Sequence, residues 1–407
     1  MLLAAHAGFA LHNNSPLIVQ ITDRPSSMLG AGQFAMASNV VVFHTDADLL
    51  GNGNTVPQIF VFDTAKRVLK GERALHQLTF GNAASYNPSA TARARSLAFE
   101  STADHLGNGS TGRQIFAARL VRFKSANGAV LDQITYGLGE SFDPKLNASG
   151  RYLLFSSTGD LNGDGLAPGV HLYRSELRRL RKSICVSYPC SLDASNPGLE
   201  LVSREVATGA TFHPGGNLAV FESRGDAAGT GLANGVQQLF VRDFKTGTVQ
   251  QLTFGALDSR GPKYSRDGKF VFFESAADLA TNGNTRTQIF QLNMAVVPPR
   301  LTQLTFGTDG DSTDPAPGPG GAIRIHFAST ADLTNSGVSG VKRMYVIELL
   351  RNKIYRLSDT QDIDAGIDAN YNFAVFVSDS DWVGNGNDQP QLFFLNSYRV
   401  VAPASAP

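Results

Sequence analysis

Asp160-Leu161-Asn162-Gly163-Asp164-Gly165 sets oxygen-bearing side chains at alternate positions, with Gly at the bends. Calcium loops are built on this pattern. The stretch lacks the bidentate Glu of a full loop, and sister stretches carry neutral Asn52 and Asn108 where Asp164 stands. Calcium held by Asp160, Asn162 and Asp164 is therefore one expectation. The other is a carboxylate that pins a turn by accepting backbone N–H groups. A second constellation is Asp143 and Asp314 with His213. Paired carboxylates with an imidazole suit acid–base cleavage of a carbohydrate, as a lyase or hydrolase. Against catalysis, the chain has no Gly-x-Ser-x-Gly elbow, His-Glu-x-x-His helix or phosphate loop. Its 8 histidines include no pair at metal spacing. No catalytic residue is assigned on this reading.

Cys185 and Cys190 are the only cysteines, five residues apart, which points to a short disulfide and an oxidising compartment. Lys plus Arg and Asp plus Glu are 35 each, so the formal net charge is zero. That balance argues against a nucleic-acid-binding face, which needs a positive surplus. No segment reads as a transmembrane span. Residues 1–16 read as a tail or signal-peptide remnant, with Ala5-His6-Ala7 in small-x-small form.

The elements that must position these residues recur. A Phe followed two places later by Ser or Thr, and five places later by Asp, begins copies at Phe43, Phe99, Phe155, Phe221, Phe273, Phe327 and Phe376. The spacings are 56, 56, 66, 52, 54 and 49. The recurrent acid is Asp48, Asp104, Asp160, Asp226, Asp278, Asp332 and Asp381, and a Gly/Asn turn follows most of them. Each copy reads as four short strands, β-branched and aromatic, bounded by Gly, Asn, Asp and Pro. The first often carries Pro, as in Asn87-Pro88 and Asp143-Pro144, and the second runs into the anchor Phe. The third is the phrase seen as Gln288-Ile289-Phe290, and the fourth is seen as Gln303-Leu304-Thr305.

A four-stranded unit repeated seven times without helices must bury both faces against its neighbours, so the expected fold is an all-β, seven-bladed β-propeller. The seventh copy has no Gln-Leu-Thr phrase after it, but Val19-Gln20-Ile21-Thr22 supplies one. The N-terminal segment is thus expected to complete the last blade and close the ring. The propeller spans residues 17–396, and 397–407 form a tail. The longest copy carries its extra residues at 174–198, with Arg174, Arg178, Arg179, Arg181 and Lys182 in a solvated basic hairpin.

The phrases Phe273-Glu274-Ser275-Ala276-Ala277-Asp278-Leu279, Tyr264-Ser265-Arg266-Asp267-Gly268-Lys269 and Gln303-Leu304-Thr305-Phe306-Gly307 resemble the WD-like propeller repeats of the TolB-like family. The resemblance covers nearly the whole chain at the level of repeats. The chain departs from TolB itself, which has six blades and an added N-terminal domain. The resemblance implies a bacterial envelope or secreted propeller, periplasmic or extracellular, that binds something.

Propellers bind where inner strands begin and loops converge. Asn87, Asp143, Lys145, Thr211, His213, Lys263, Asp314 and Asp364 are the candidates for that mouth. The expected function is a non-catalytic scaffold for a protein or peptide partner, with carbohydrate as an alternative ligand. A calcium-stabilised structural ring is the third reading. No organic cofactor is expected, and the ring is expected to act as a monomer.

Overall fold

The computed structural model describes residues 17–29, 33–34, 40–63, 75–91, 95–119, 130–136, 139–177, 198–232, 234–318, 324–337, 339–358, 362–370, 373–386 and 388–396. Cys185, Cys190, the basic residues from Arg178 to Lys182 and both tails lie outside them. Seven four-stranded antiparallel sheets follow one another around a ring. Strands are numbered in chain order, and each blade runs from the channel outward.

The first blade is β2 (Gln33–Phe34), β3 (Val40–Thr45), β4 (Gln58–Asp63) and β5 (Leu75–Gln77). The second is β6 (Ser85–Ala90), β7 (Ser96–Ser101), β8 (Gln114–Arg119) and β9 (Val130–Gln133), and the third is β10 (Ser141–Leu146), β11 (Tyr152–Ser157), β12 (His171–Glu176) and β13 (Leu199–Leu201). The fourth is β14 (Ala207–Phe212), β15 (Leu218–Ser223), β16 (Gln238–Asp243) and β17 (Val249–Gln251). The fifth is β18 (Ser259–Tyr264), β19 (Phe270–Ser275), β20 (Gln288–Asn293) and β21 (Arg300–Gln303), and the sixth is β22 (Ser312–Pro317), β23 (Arg324–Ser329), β24 (Arg343–Glu348) and β25 (Lys353–Arg356). The seventh is β26 (Ala365–Asn370), β27 (Phe373–Ser378) and β28 (Gln391–Asn396), completed by β1 (Leu17–Gln20).

The recurrent phrases are packing and hydrogen-bond devices. The anchor Phe of strand two stands in register with the aromatic of strand three, and the two rings stack. Such pairs are Phe43–Phe60, Phe99–Phe116, Phe155–Tyr173, Phe221–Phe240, Phe273–Phe290, Phe327–Tyr345 and Phe376–Phe393, with centroids 5.6–5.9 Å apart. Each ring is almost fully buried between blades. An aromatic pair adds about 0.5–1.5 kcal/mol beyond its buried area.

Gln and Thr form a lock between strands three and four. Thr305 Oγ1 donates to Gln288 Oε1 at 2.7 Å and accepts the Ile289 N–H at 2.9 Å. Thr135 and Thr253 make the same pair of bonds to their own blades. Ring closure uses the lock unchanged. Leu17 pairs with Asn396 and Gln20 with Phe393. Thr22 Oγ1 donates to Gln391 Oε1 at 2.6 Å and accepts the Leu392 N–H at 2.9 Å. Closure in this way leaves no open edge between the first and last blades.

Candidate functional site at the channel mouth

Inner strands start, second strands end and third strands start on one face of the ring. The Asp-headed turns lie on that face. In all seven copies the Asp carboxylate accepts the backbone N–H groups four and five residues on, at 2.5–3.0 Å. The Gly53 amide, followed by that of Asn52, holds the Asp48 carboxyl below its ordinary range although burial works against it. For Asp160, burial opposes ionisation but is outweighed by the amides of Asp164, Gly165 and Leu166. These amides occupy the Asp160 oxygens that calcium would share, and the described residues contain no group of three His, Cys, Asp or Glu placed to hold a metal.

The turn connects to the lock. Asn52, Asn108, Asn282 and Asn385 side chains donate to Gln77, Gln133, Gln303 and Gln20 at 2.7–2.9 Å. Asp164 stands at this position in the third copy, and an acid cannot donate in the same way.

Closer to the axis, the inner strands of six blades carry a bulge. Its central residue has positive φ: Asn87 (45°), Asp143 (53°), Gly209 (56°), Gly261 (63°), Asp314 (56°) and Gly366 (48°). Asn, Asp and Gly tolerate that conformation best. Pro follows in four of them, at Pro88, Pro144, Pro262 and Pro315. A bulge is where a sheet accepts a residue with no N–H.

The bulge amide is taken up by the preceding blade. Asp143 N–H donates to Glu100 Oε2 at 2.6 Å, Gly261 N–H to Glu222 Oε1 at 2.8 Å, and Asp314 N–H to Glu274 Oε2 at 2.8 Å. Between the first two blades, Asn87 N–H donates to His44 Nδ1 at 3.3 Å. These acceptors all follow the anchor Phe directly. Burial raises the carboxyls of Glu100, Glu222 and Glu274 against the pull of the amides they accept. Burial lowers His44 to about 4, with Asp46 opposing, so its imidazole is neutral and Nδ1 can accept. Sequence reasoning passed over this clasp because the Glu sits inside a repeated phrase. The available signal was an acid flanked by buried Phe and Ser on an otherwise apolar strand.

Ser89, Lys145, Thr211, Lys263, Ala316 and Asp368 stand two residues past each bulge. Lys263 Nζ, in the fifth blade, donates to the Ile367 carbonyl of the seventh at 3.0 Å, so it reaches across the channel. Lys145 Nζ pairs with Asp143 Oδ1 at 2.6 Å. Burial opposes its charge, but Asp143, then Glu100 and Asp368, hold it above its ordinary value. Asp314 pairs with Lys342 at 3.3 Å, and Lys342 also donates to the Asp364 carbonyl at 3.4 Å.

Asn87, Asp143, Lys145, Thr211, Lys263, Asp314 and Asp364 thus belong to, or directly precede, the inner strands at the mouth. His213 does not join them. It follows the end of β14, in the turn to β15, four residues beyond the bulge, or about 13 Å along the strand. Its Nδ1 accepts the Gly215 N–H at 3.0 Å and its ring packs edge-on to Tyr264. Asp143 and Asp314 each have their own lysine. Both carboxylates are thus engaged in ion pairs within the ring, and His213 lies apart from the bulge positions that carry them.

Large apolar side chains also emerge on this face. Phe254 and Phe306 directly follow the lock threonines and are each 64% exposed, and Leu257 is 53% exposed. Phe80 holds the same place in the first copy. The Gln-Leu-Thr-Phe phrase therefore has a buried half and a solvent-facing end.

No family model and no curated protein sequence matches the chain. Solved structures do. The β-propeller domain of the Trilobed protease from Pyrococcus furiosus, described as having an open velcro topology, overlays with TM-score 0.56 at 9% identity, over 91% of this chain and 95% of that one. A puromycin-hydrolyzing peptidase of Mycobacterium tuberculosis gives TM-score 0.55 at 11% identity, over 89% of this chain and 53% of that one. TolB from Acinetobacter baumannii gives TM-score 0.45 at 14% identity, over 80% of this chain and 65% of that one. The overlays at TM-scores 0.56 and 0.55 support the propeller architecture. In contrast to the Pyrococcus propeller, this ring is closed by β1 on β28.

Proposed function

We propose that this β-propeller is a non-catalytic, extracytoplasmic scaffold that binds a protein or peptide partner on its mouth face. The observation that carries the reading is the exposure of Phe254, Phe306 and Leu257 beside a mouth whose charges are paired with one another. Phe254 and Phe306 leave equivalent positions of neighbouring blades, and aromatics dominate the energetics of protein contacts. Ion-paired carboxylates and lysines suit orientation of a partner better than proton transfer. Among the described residues no helix is long and apolar enough to cross a membrane. The repeat resemblance supports a periplasmic or secreted location.

The test is co-purification from an envelope extract with wild type and a Phe254→Ser/Phe306→Ser variant. Both side chains are solvent-facing, so the variant should keep its melting temperature. Loss of a reproducible partner from the variant is the expected result. Equal recovery of every partner by wild type and variant rejects this face.

A further inference from the structure

The second and fifth blades build the same clasp from different residues. In the second, Glu100 faces Tyr86 across the sheet, and in the fifth, Glu274 faces Arg260. Glu100 is saturated. It accepts the Asp143 N–H, the Asn87 side-chain amide at 3.1 Å and the Arg113 guanidinium at 3.4 Å, and its side chain is 1% exposed. In the fifth blade, Gly261 stands where Asn87 does and Thr287 where Arg113 does. Glu274 is left with the Asp314 N–H as its hydrogen-bond donor, and it is only partly buried.

The missing side chains leave space. A cavity of about 320 Å³ is lined by Glu274, Ser275, Ala276, Thr287, Asp258, Arg260, Val236 and Leu257. A Cβ at Gly261 would meet nothing nearer than Glu274 carbon atoms at 3.9 Å. The other charges at this place are already spent. Arg260 is paired with Asp258, which also accepts from Arg224 and from the Gln237 N–H. Lys263 and Lys342 lie within electrostatic reach of Glu274, but their ammonium groups are bonded to Ile367 and Asp314.

We propose that the fifth-blade cavity is a subsite for a guanidinium group, an arginine side chain presented from outside, which takes the place Arg113 holds beside Glu100. A planar guanidinium matches a carboxylate and tolerates partial desolvation better than an ammonium. Leu257 and Val236 supply an apolar wall for its stem. Peptide recognition at this subsite rests on the reading of the mouth face as a binding surface. The cavity's preference for guanidinium does not.

The probe is N-acetyl-arginine amide, titrated by NMR against uncharged N-acetyl-citrulline amide as control. Wild type should bind the arginine amide saturably at millimolar concentration, the ion pair to Glu274 being supplemented by burial of the stem against Leu257 and Val236. Glu274→Gln should weaken it about tenfold or more. Gly261→Asn/Thr287→Arg rebuilds the second-blade clasp and should abolish binding without lowering the melting temperature. Equal affinity for the citrulline amide, undiminished binding by Glu274→Gln, or no saturation with wild type overturns the subsite. Because the titration needs no partner protein, failure of the co-purification leaves its outcome unaffected.

Discussion

On the turns, Asp48, Asp104 and Asp278 accept the same two amides in the same geometry. On the channel side, the residues after the anchor Phe are His44, Glu100, Ser156, Glu222, Glu274, Ala328 and Val377. Both positions repeat once per blade. The first is uniform because every blade needs its second and third strands joined on the same path. The second varies because the adjoining bulges and their surroundings differ, and there one copy leaves a carboxylate under-supplied with donors. Repetition thus marks what every blade needs to hold its own strands, and departure from it marks where neighbouring blades differ and where the proposed subsite lies.

The comparison is broken most severely at the uniform aromatic pairs. Phe290→Ala removes a fully buried ring stacked on Phe273, and should cost about 3–5 kcal/mol in urea unfolding. A loss below about 1 kcal/mol would show that the stack is not a principal support. Next comes the lock. Thr305→Val keeps the shape but removes one donor and one acceptor, leaving Gln288 and the Ile289 N–H short of partners. The expected cost is about 1–3 kcal/mol by the same measurement.

The propeller, its blade count and its closure by Val19-Gln20-Ile21-Thr22 were legible in the sequence, because period and phrase carry packing directly. The mouth was legible only as a set of inner-strand positions. His213 was read onto the inner strand of the fourth blade, but it directly follows β14, at the end away from the bulge, since a strand's end cannot be read to within a residue or two. The clasp escaped notice because its two halves sit in different blades, 39–43 residues apart for Glu222–Gly261, Glu274–Asp314 and Glu100–Asp143. Only the fold brings them together. Phe306 was read only as the end of a recurrent phrase, and the phrase leaves the core at that residue.

The clasp also gives a pH signature. His44 falls from 6.5 to about 4 on folding, so between those values the unfolded chain binds the proton and the native chain does not. Stability contributed by neutral His44 is complete above pH 6.5 and is lost as pH falls through about 4. His44→Gln should reduce the slope of stability against pH in that window by up to one proton, and an unchanged slope would count against the clasp. Raised Glu100, Glu222 and Glu274 act in the opposite sense, losing stability as pH rises past the ordinary Glu value. The wild-type–variant difference isolates His44. The smallest effect belongs to Asp278→Asn. Its exposed turn keeps one acceptor oxygen, so thermal melting should shift less than for Thr305→Val. A larger shift would make the turns the main support.

The most direct measurement pairs thermal melting with arginine-amide titration on Thr305→Val and Glu274→Gln, two changes in one blade. The account predicts that Thr305→Val lowers the melting temperature and keeps the affinity, while Glu274→Gln keeps the melting temperature and loses the affinity. If both variants lose both properties together, or if Glu274→Gln alters only the melting temperature, repeated and divergent positions are not divided between support and recognition.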